Sequence, residues 1–87
     1  MIKYLLVGGS ANGTIVERPK GLTQIHVNGV DLGDDEEIYA AYILDYQSKG
    51  FCAFGILVGY AFDTVELEIL AEKHKVPIYS TEEVSLP

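Results

Sequence analysis

Apolar and polar positions alternate in short blocks along the chain, and most blocks end at glycine or proline. Ile2 to Val7 is rich in branched and aromatic residues and stops at Gly8-Gly9, which predicts a strand. Asn12-Gly13 supplies residues tolerant of positive φ, and Thr14 to Arg18 resumes an extended pattern until Pro19 ends it. Together they predict a hairpin with a loose glycine-rich loop. Thr23 to Leu32 contains Asn28-Gly29, the favoured pair for a two-residue type I′ turn. That turn would set Val27 opposite Val30, Ile25 opposite Leu32 and, on the other face, His26 opposite Asp31.

Glu36 to Tyr46 fits two patterns. Four acids, Asp34 to Glu37, ahead of an apolar run with Gly50 beyond it suit a helix. Ile38, Tyr42, Leu44 and Tyr46, however, share one face of a strand, and Gln47-Ser48-Lys49-Gly50 suits a hairpin turn. The strand is the preferred assignment. Phe51 to Val58 is apolar on both faces and therefore predicts a central strand. Asp63-Thr64-Val65-Glu66 has the form of a capping box. Leu67, Leu70 and Ala71 then mark one helical face, flanked by Val65 and Ile69. Lys73, His74 and Lys75 suit the C-terminal end of the dipole, and Val76-Pro77 ends the helix. Ile78-Tyr79-Ser80 could add a short edge strand, with 81–87 as a flexible tail. The fold class expected is α+β, in a single domain over 1–87. It has a mostly antiparallel sheet of five to six strands in hairpins, with one C-terminal helix packed on one face.

Composition narrows the function classes. With 87 residues, 48% hydrophobic and 22% charged, the chain has enough apolar surface for one modest core. Thirteen acids against six Lys and Arg give a formal net charge of −7. Such a chain has little with which to displace counterions from phosphates, so direct nucleic-acid binding is not expected. An anionic membrane surface would repel it. A charged protein partner should present a basic surface. Cys52 is the single cysteine, so no internal disulfide forms and no oxidising compartment is indicated. The apolar start and the 51–62 stretch are each too short to span a bilayer, and a cytoplasmic location is expected.

Each candidate site has a plain structural alternative. Gly8 and Gly13 have the glycine spacing of a phosphate-binding loop, but Thr14 takes the lysine position and a strand follows where a helix is required. Asp31, Asp34, Asp35, Glu36 and Glu37 concentrate acids without the alternating ligands and central glycine of a calcium loop. His26, His74 and Cys52 are not at metal-ligand spacing, and Cys52 sits inside the most apolar run. His26 opposite Asp31 lacks a placed nucleophile. No catalytic, metal or cofactor residue is assigned, and the chain reads as a binding protein rather than an enzyme. The six tyrosines, with no tryptophan, suit both sheet faces and interfaces. One helix covers one sheet face, so a second subunit is expected over the other, which predicts a homodimer.

The opening Leu5-Leu6-Val7-Gly8-Gly9-Ser10-Ala11-Asn12-Gly13, followed by Ile15-Val16-Glu17-Arg18-Pro19, resembles the start of many small uncharacterised tailed-bacteriophage proteins. These commonly begin L-V-G-G-x-x-D-G and continue with an apolar–acidic strand and a proline. Asn12 stands at the aspartate position. The resemblance covers about the first 19 residues, rests on turn chemistry and carries no site residues. It implies a phage or prophage origin and a viral accessory protein acting in the host cytoplasm, of a kind that often inhibits host enzymes or defence systems. The expected function is therefore binding, and inhibition, of a host protein with a basic surface. Asp34, Asp35, Glu36 and Glu37 would steer it and Tyr39 and Tyr42 would anchor it. The alternatives are a small-molecule or nucleotide-sequestering oligomer with Gly8 to Gly13 lining a pocket, or a minor structural component of the virion.

Overall fold

The computed structural model describes residues 1–28 and 36–84. Its elements are β1 (Ile2–Val7), β2 (Ile15–Arg18), β3 (Gln24–Asn28), β4 (Glu36–Asp45), β5 (Phe51–Leu57), α1 (Thr64–Lys73) and α2 (Thr81–Val84). The strands form one sheet in the order β2-β1-β5-β4-β3. Three pairings are antiparallel, β1 with β2, β3 with β4 and β4 with β5. The fourth is parallel, β1 with β5, in the register Tyr4↔Ala53 to Val7↔Ile56.

That parallel pair corrects the expectation of strands joined only as hairpins. β1 and β5 are the two strands whose residues are almost all buried. Placing them side by side in the middle lets both faces of both strands be covered, and the more polar β2 and β3 take the edges.

Of the 36–46 segment, Glu36–Asp45 is a strand, as its alternation predicts, and Tyr46 opens the turn. Gln47 and Ser48 both adopt positive φ (51° and 59°), and the Lys49 N–H donates to the Tyr46 carbonyl at 2.9 Å, the geometry of a type I′ turn. The Asp45 carboxylate braces it by accepting from the Ser48 N–H at 2.9 Å. β3 pairs with β4, with Ile25 opposite Tyr39 and Val27 opposite Glu37. Gly29, Val30, Asp31 and Leu32, on which the Asn28-Gly29 hairpin depends, lie outside the described residues.

On one face Leu5, Val7, Cys52, Phe54 and Ile56 pack against Leu67 and Ala71 of α1 and against Val76. Burial pushes the Cys52 thiol above its ordinary range, so it behaves as inert core. α1 begins as predicted, with the Asp63 carboxylate accepting from the Glu66 N–H at 2.8 Å. Asp63→Ala should lower stability by about 0.5–2 kcal/mol in a denaturation experiment. The helix ends in a Schellman motif. The Val76 N–H bonds the Ala71 carbonyl at 2.9 Å and the Lys75 N–H bonds that of Glu72 at 3.3 Å, with Lys75 at φ 54°. A lysine holds the position that glycine occupies without strain, so Lys75→Gly should raise the unfolding free energy by about 0.5–1 kcal/mol.

Residues 81–84 are not a tail. Ser80 and Glu83 form a reciprocal capping box, the Ser80 N–H donating to the Glu83 carboxylate at 3.0 Å and the Glu83 N–H to Ser80 Oγ at 3.3 Å. The spacing Ser80-x-x-Glu83 was present in the sequence as the signal for α2. Ile78 to Ser80 contributes a single bridge, Tyr79 to Phe51, rather than a strand. The bonds from the Ser80 backbone and hydroxyl hold the Glu83 carboxyl below its ordinary range. A depressed carboxylate contributes its stabilisation above the unfolded pKa and loses it as pH falls through the folded one. The protection factors of the α2 amides, taken against the intrinsic exchange rate at each pH, should therefore fall on acidification below the ordinary glutamate range. Ser80→Ala removes the hydroxyl but keeps the backbone N–H, so the Glu83 carboxyl, followed by NMR titration, should move only part of the way back to its ordinary value.

The second face is closed by the chain itself. Ile2, Tyr4, Leu6, Ile25, Tyr39 and Ala53 are all buried there, with Ala11, Leu22, Tyr79 and Val84 packed around them. The sheet curls about Gly55, above which Leu6 of β1 and Ile25 of β3 converge from opposite sides of β5. A Cβ on Gly55 would lie 2.6 Å from Leu6 Cδ2 and 3.2 Å from Ile25 Cδ1. The uncovered face from which a homodimer was expected is thus buried within one chain.

Candidate functional site

The residues expected to form a partner surface separate. Asp34 and Asp35 lie outside the described residues, and Glu36 opens β4 opposite Asn28. Glu37 turns to the glycine loop, where its carboxylate accepts from the Ser10 N–H at 3.0 Å and from the Ser10 hydroxyl. Tyr39 is 0% exposed. Its hydroxyl donates to the Gly8 carbonyl at 2.8 Å and accepts from the Ala11 N–H at 3.4 Å, and burial raises its phenol pKa. Tyr39 is therefore a buried strut and not a surface anchor. Tyr42 is 38% exposed and lies on the opposite face. Residues three apart share a face on a helix and oppose each other on a strand, so the strand assignment itself separates the two tyrosines.

The glycine loop is occupied by its own chain. The Gly8 N–H donates to Asn12 Oδ1 at 2.8 Å, the Gly13 N–H to the Leu6 carbonyl at 2.8 Å, and the Ser10 and Ala11 N–H groups to Glu37 and Tyr39. Gly9, at φ 68°, leaves room for that clasp, since a Cβ there would run into the Glu37 carboxylate and the Tyr39 hydroxyl. A phosphate would meet a carboxylate and engaged donors, so the loop is a structural hairpin connection.

A different surface emerges around α1. The Tyr42 and Phe62 rings pack with centroids 5.7 Å apart at 57°, and both rings remain partly exposed. Phe62 directly precedes the Asp63 cap. Val65 and Ile69 are 62% and 61% exposed, pointing away from the side of α1 that buries Leu67 and Ala71. The sequence pattern predicts them as flanks of the buried face, but they form an outward stripe one turn apart. The signal was available, since a helix with apolar residues on two opposite faces has more apolar surface than one sheet can cover.

With Asp63, Glu66 and Leu70 they line a shallow, open depression of about 360 Å³. Its lining comes from a single helix segment, unlike an enclosed ligand pocket. A crevice of about 20 Å³ between α1 and β4, bounded by Leu44, Tyr46, Phe54 and Leu67, has room for little more than a water. Acids border the stripe, with Asp63, Glu66, Glu68 and Glu72 against Lys73 and Lys75. The Tyr60 hydroxyl donates to Glu66 at 2.9 Å, and that bond to a carboxylate raises the Tyr60 phenol above its usual range.

Among the described residues no group of three or more His, Cys, Asp or Glu is placed to hold a metal ion, and no helix is long and apolar enough to cross a membrane. Comparison with known proteins finds no matching family model, curated protein or solved structure.

Proposed function

We propose that the chain is an accessory protein that binds and inhibits a partner protein through an aromatic and apolar surface bordered by acids. The observation that carries this reading is the exposed Tyr42–Phe62 pair at the start of an acidic helix. Exposed aromatics inside a polar rim are the usual composition of a protein-binding patch, and the rim's sign selects a basic partner. The resemblance of residues 5–19 to phage proteins makes a host protein the expected target. The sequestering alternative has less support, because the Gly8, Ser10 and Ala11 N–H groups are engaged within the chain.

The test is affinity capture from bacterial lysate with the wild-type chain and a Tyr42→Ser/Phe62→Ser variant, at low and at high salt. A single protein retained by the wild type, weakened by salt and lost with the variant supports the proposal. Retention unaffected by the variant refutes it. Sedimentation of the purified chain reads self-association separately, and a dimer broken by the same variant would make this surface a homodimer contact instead.

A further inference from the structure

The outward stripe of α1 consists of Val65 and Ile69, both exposed. Resting on the reading above, we infer that Val65 and Ile69 receive an amphipathic helix of the partner protein whose apolar stripe is bordered by Lys or Arg. Val65 and Ile69 stand four residues apart on a ten-residue helix held from below by Leu67 and Ala71. Such i, i+4 ridges are what a second helix packs against. At 1.5 Å rise per residue α1 is about 15 Å long, which matches roughly three turns of a partner helix. The lining supplies apolar floor from Val65, Ile69 and Leu70, with Asp63 and Glu66 at its edge.

Charge decides among the possible occupants. Asp63, Glu66, Glu68 and Glu72 on and beside α1 outnumber Lys73 and Lys75, within a chain of net charge −7. A second copy brings the same net charge of −7 to the contact, which opposes close association. Anionic lipid is repelled for the same reason. A helix with flanking cations gains complementary contacts on both sides of the stripe.

The probe is a synthetic amphipathic peptide of about five turns, roughly 18 residues, with leucines at helical spacing and lysines on the flanks. Two control peptides carry glutamate for lysine or serine for leucine. Binding is read by calorimetry and by NMR shifts of the intact chain. The expected result is perturbation centred on residues 62–73 and weakening at high salt. Affinity should fall about tenfold or more for a Val65→Ser/Ile69→Ser variant, with binding of both control peptides lost. Both residues are exposed, so this variant should keep the wild-type thermal midpoint, measured alongside.

Equal binding of the glutamate peptide, perturbation elsewhere or unchanged affinity of a folded variant would each overturn the inference. So would a dimer in sedimentation that the variant dissolves. A host protein captured equally by the wild type and by Val65→Ser/Ile69→Ser, but lost with Tyr42→Ser/Phe62→Ser, would overturn the α1 site while leaving the proposed function standing.

Discussion

Gly55→Ala should lower the unfolding free energy by about 1–3 kcal/mol, and Gly55→Val by more. The site lies mid-strand in β5, opposite Ala41, where glycine is otherwise a poor choice for a strand. Its lack of a side chain is what lets Leu6 and Ile25 meet above it, with Tyr39 Cβ 3.4 Å from the position a Cβ would take. Those three neighbours are fully buried, so none can swing into solvent to make room. Denaturant titration checks the size of the effect. Leu6→Val shortens the side chain whose Cδ2 would be struck first, so Gly55→Ala combined with Leu6→Val should be less destabilised than the sum of the two single variants. A neutral Gly55→Ala would mean that the sheet does not close as tightly as described.

Tyr39 and Tyr42 should part company under mutation. Tyr39→Ala opens the buried core of the second face and should lose about 3–5 kcal/mol, as large aromatic truncations do. Tyr39→Phe keeps the ring but removes the bond to the Gly8 carbonyl, a loss of about 1–3 kcal/mol. It should also speed amide exchange at Ser10 and Ala11, because the clasp on the glycine loop then rests on Glu37. Tyr42→Ala removes a half-exposed ring and its contact with Phe62, worth about 0.5–1.5 kcal/mol. Partner capture should follow the reverse order, reduced by Tyr42→Ala and preserved by Tyr39→Phe. Equal stability losses at the two positions would contradict the burial that separates them.

What the sequence determined by itself is what depends on a few neighbouring residues. β1 ends at Gly8-Gly9, β2 at Pro19 and α1 starts at Asp63, because turn, proline and capping preferences act within one or two turns of chain. The apolar character of Phe51 to Val58 on both faces placed β5 in the middle of the sheet, since only an interior strand buries both faces. The Ser80–Glu83 box is equally local and equally legible, although its polar, C-terminal setting predicts a tail.

The tertiary structure alone decided who pairs with whom. The parallel contact of β1 with β5 joins segments at opposite ends of the sheet-forming region, and no neighbouring residue encodes it. Period-two alternation assigned Tyr39 and Tyr42 to opposite faces, but which face is sealed depends on the curl over Gly55. That curl requires Leu6, Ile25 and Tyr39, from three different strands, to reach one point. Once it closes, the candidate surface moves from the acidic start of β4 to the far side of α1. Val65 and Ile69 are left outside because Leu67 and Ala71 already fill the space the sheet offers.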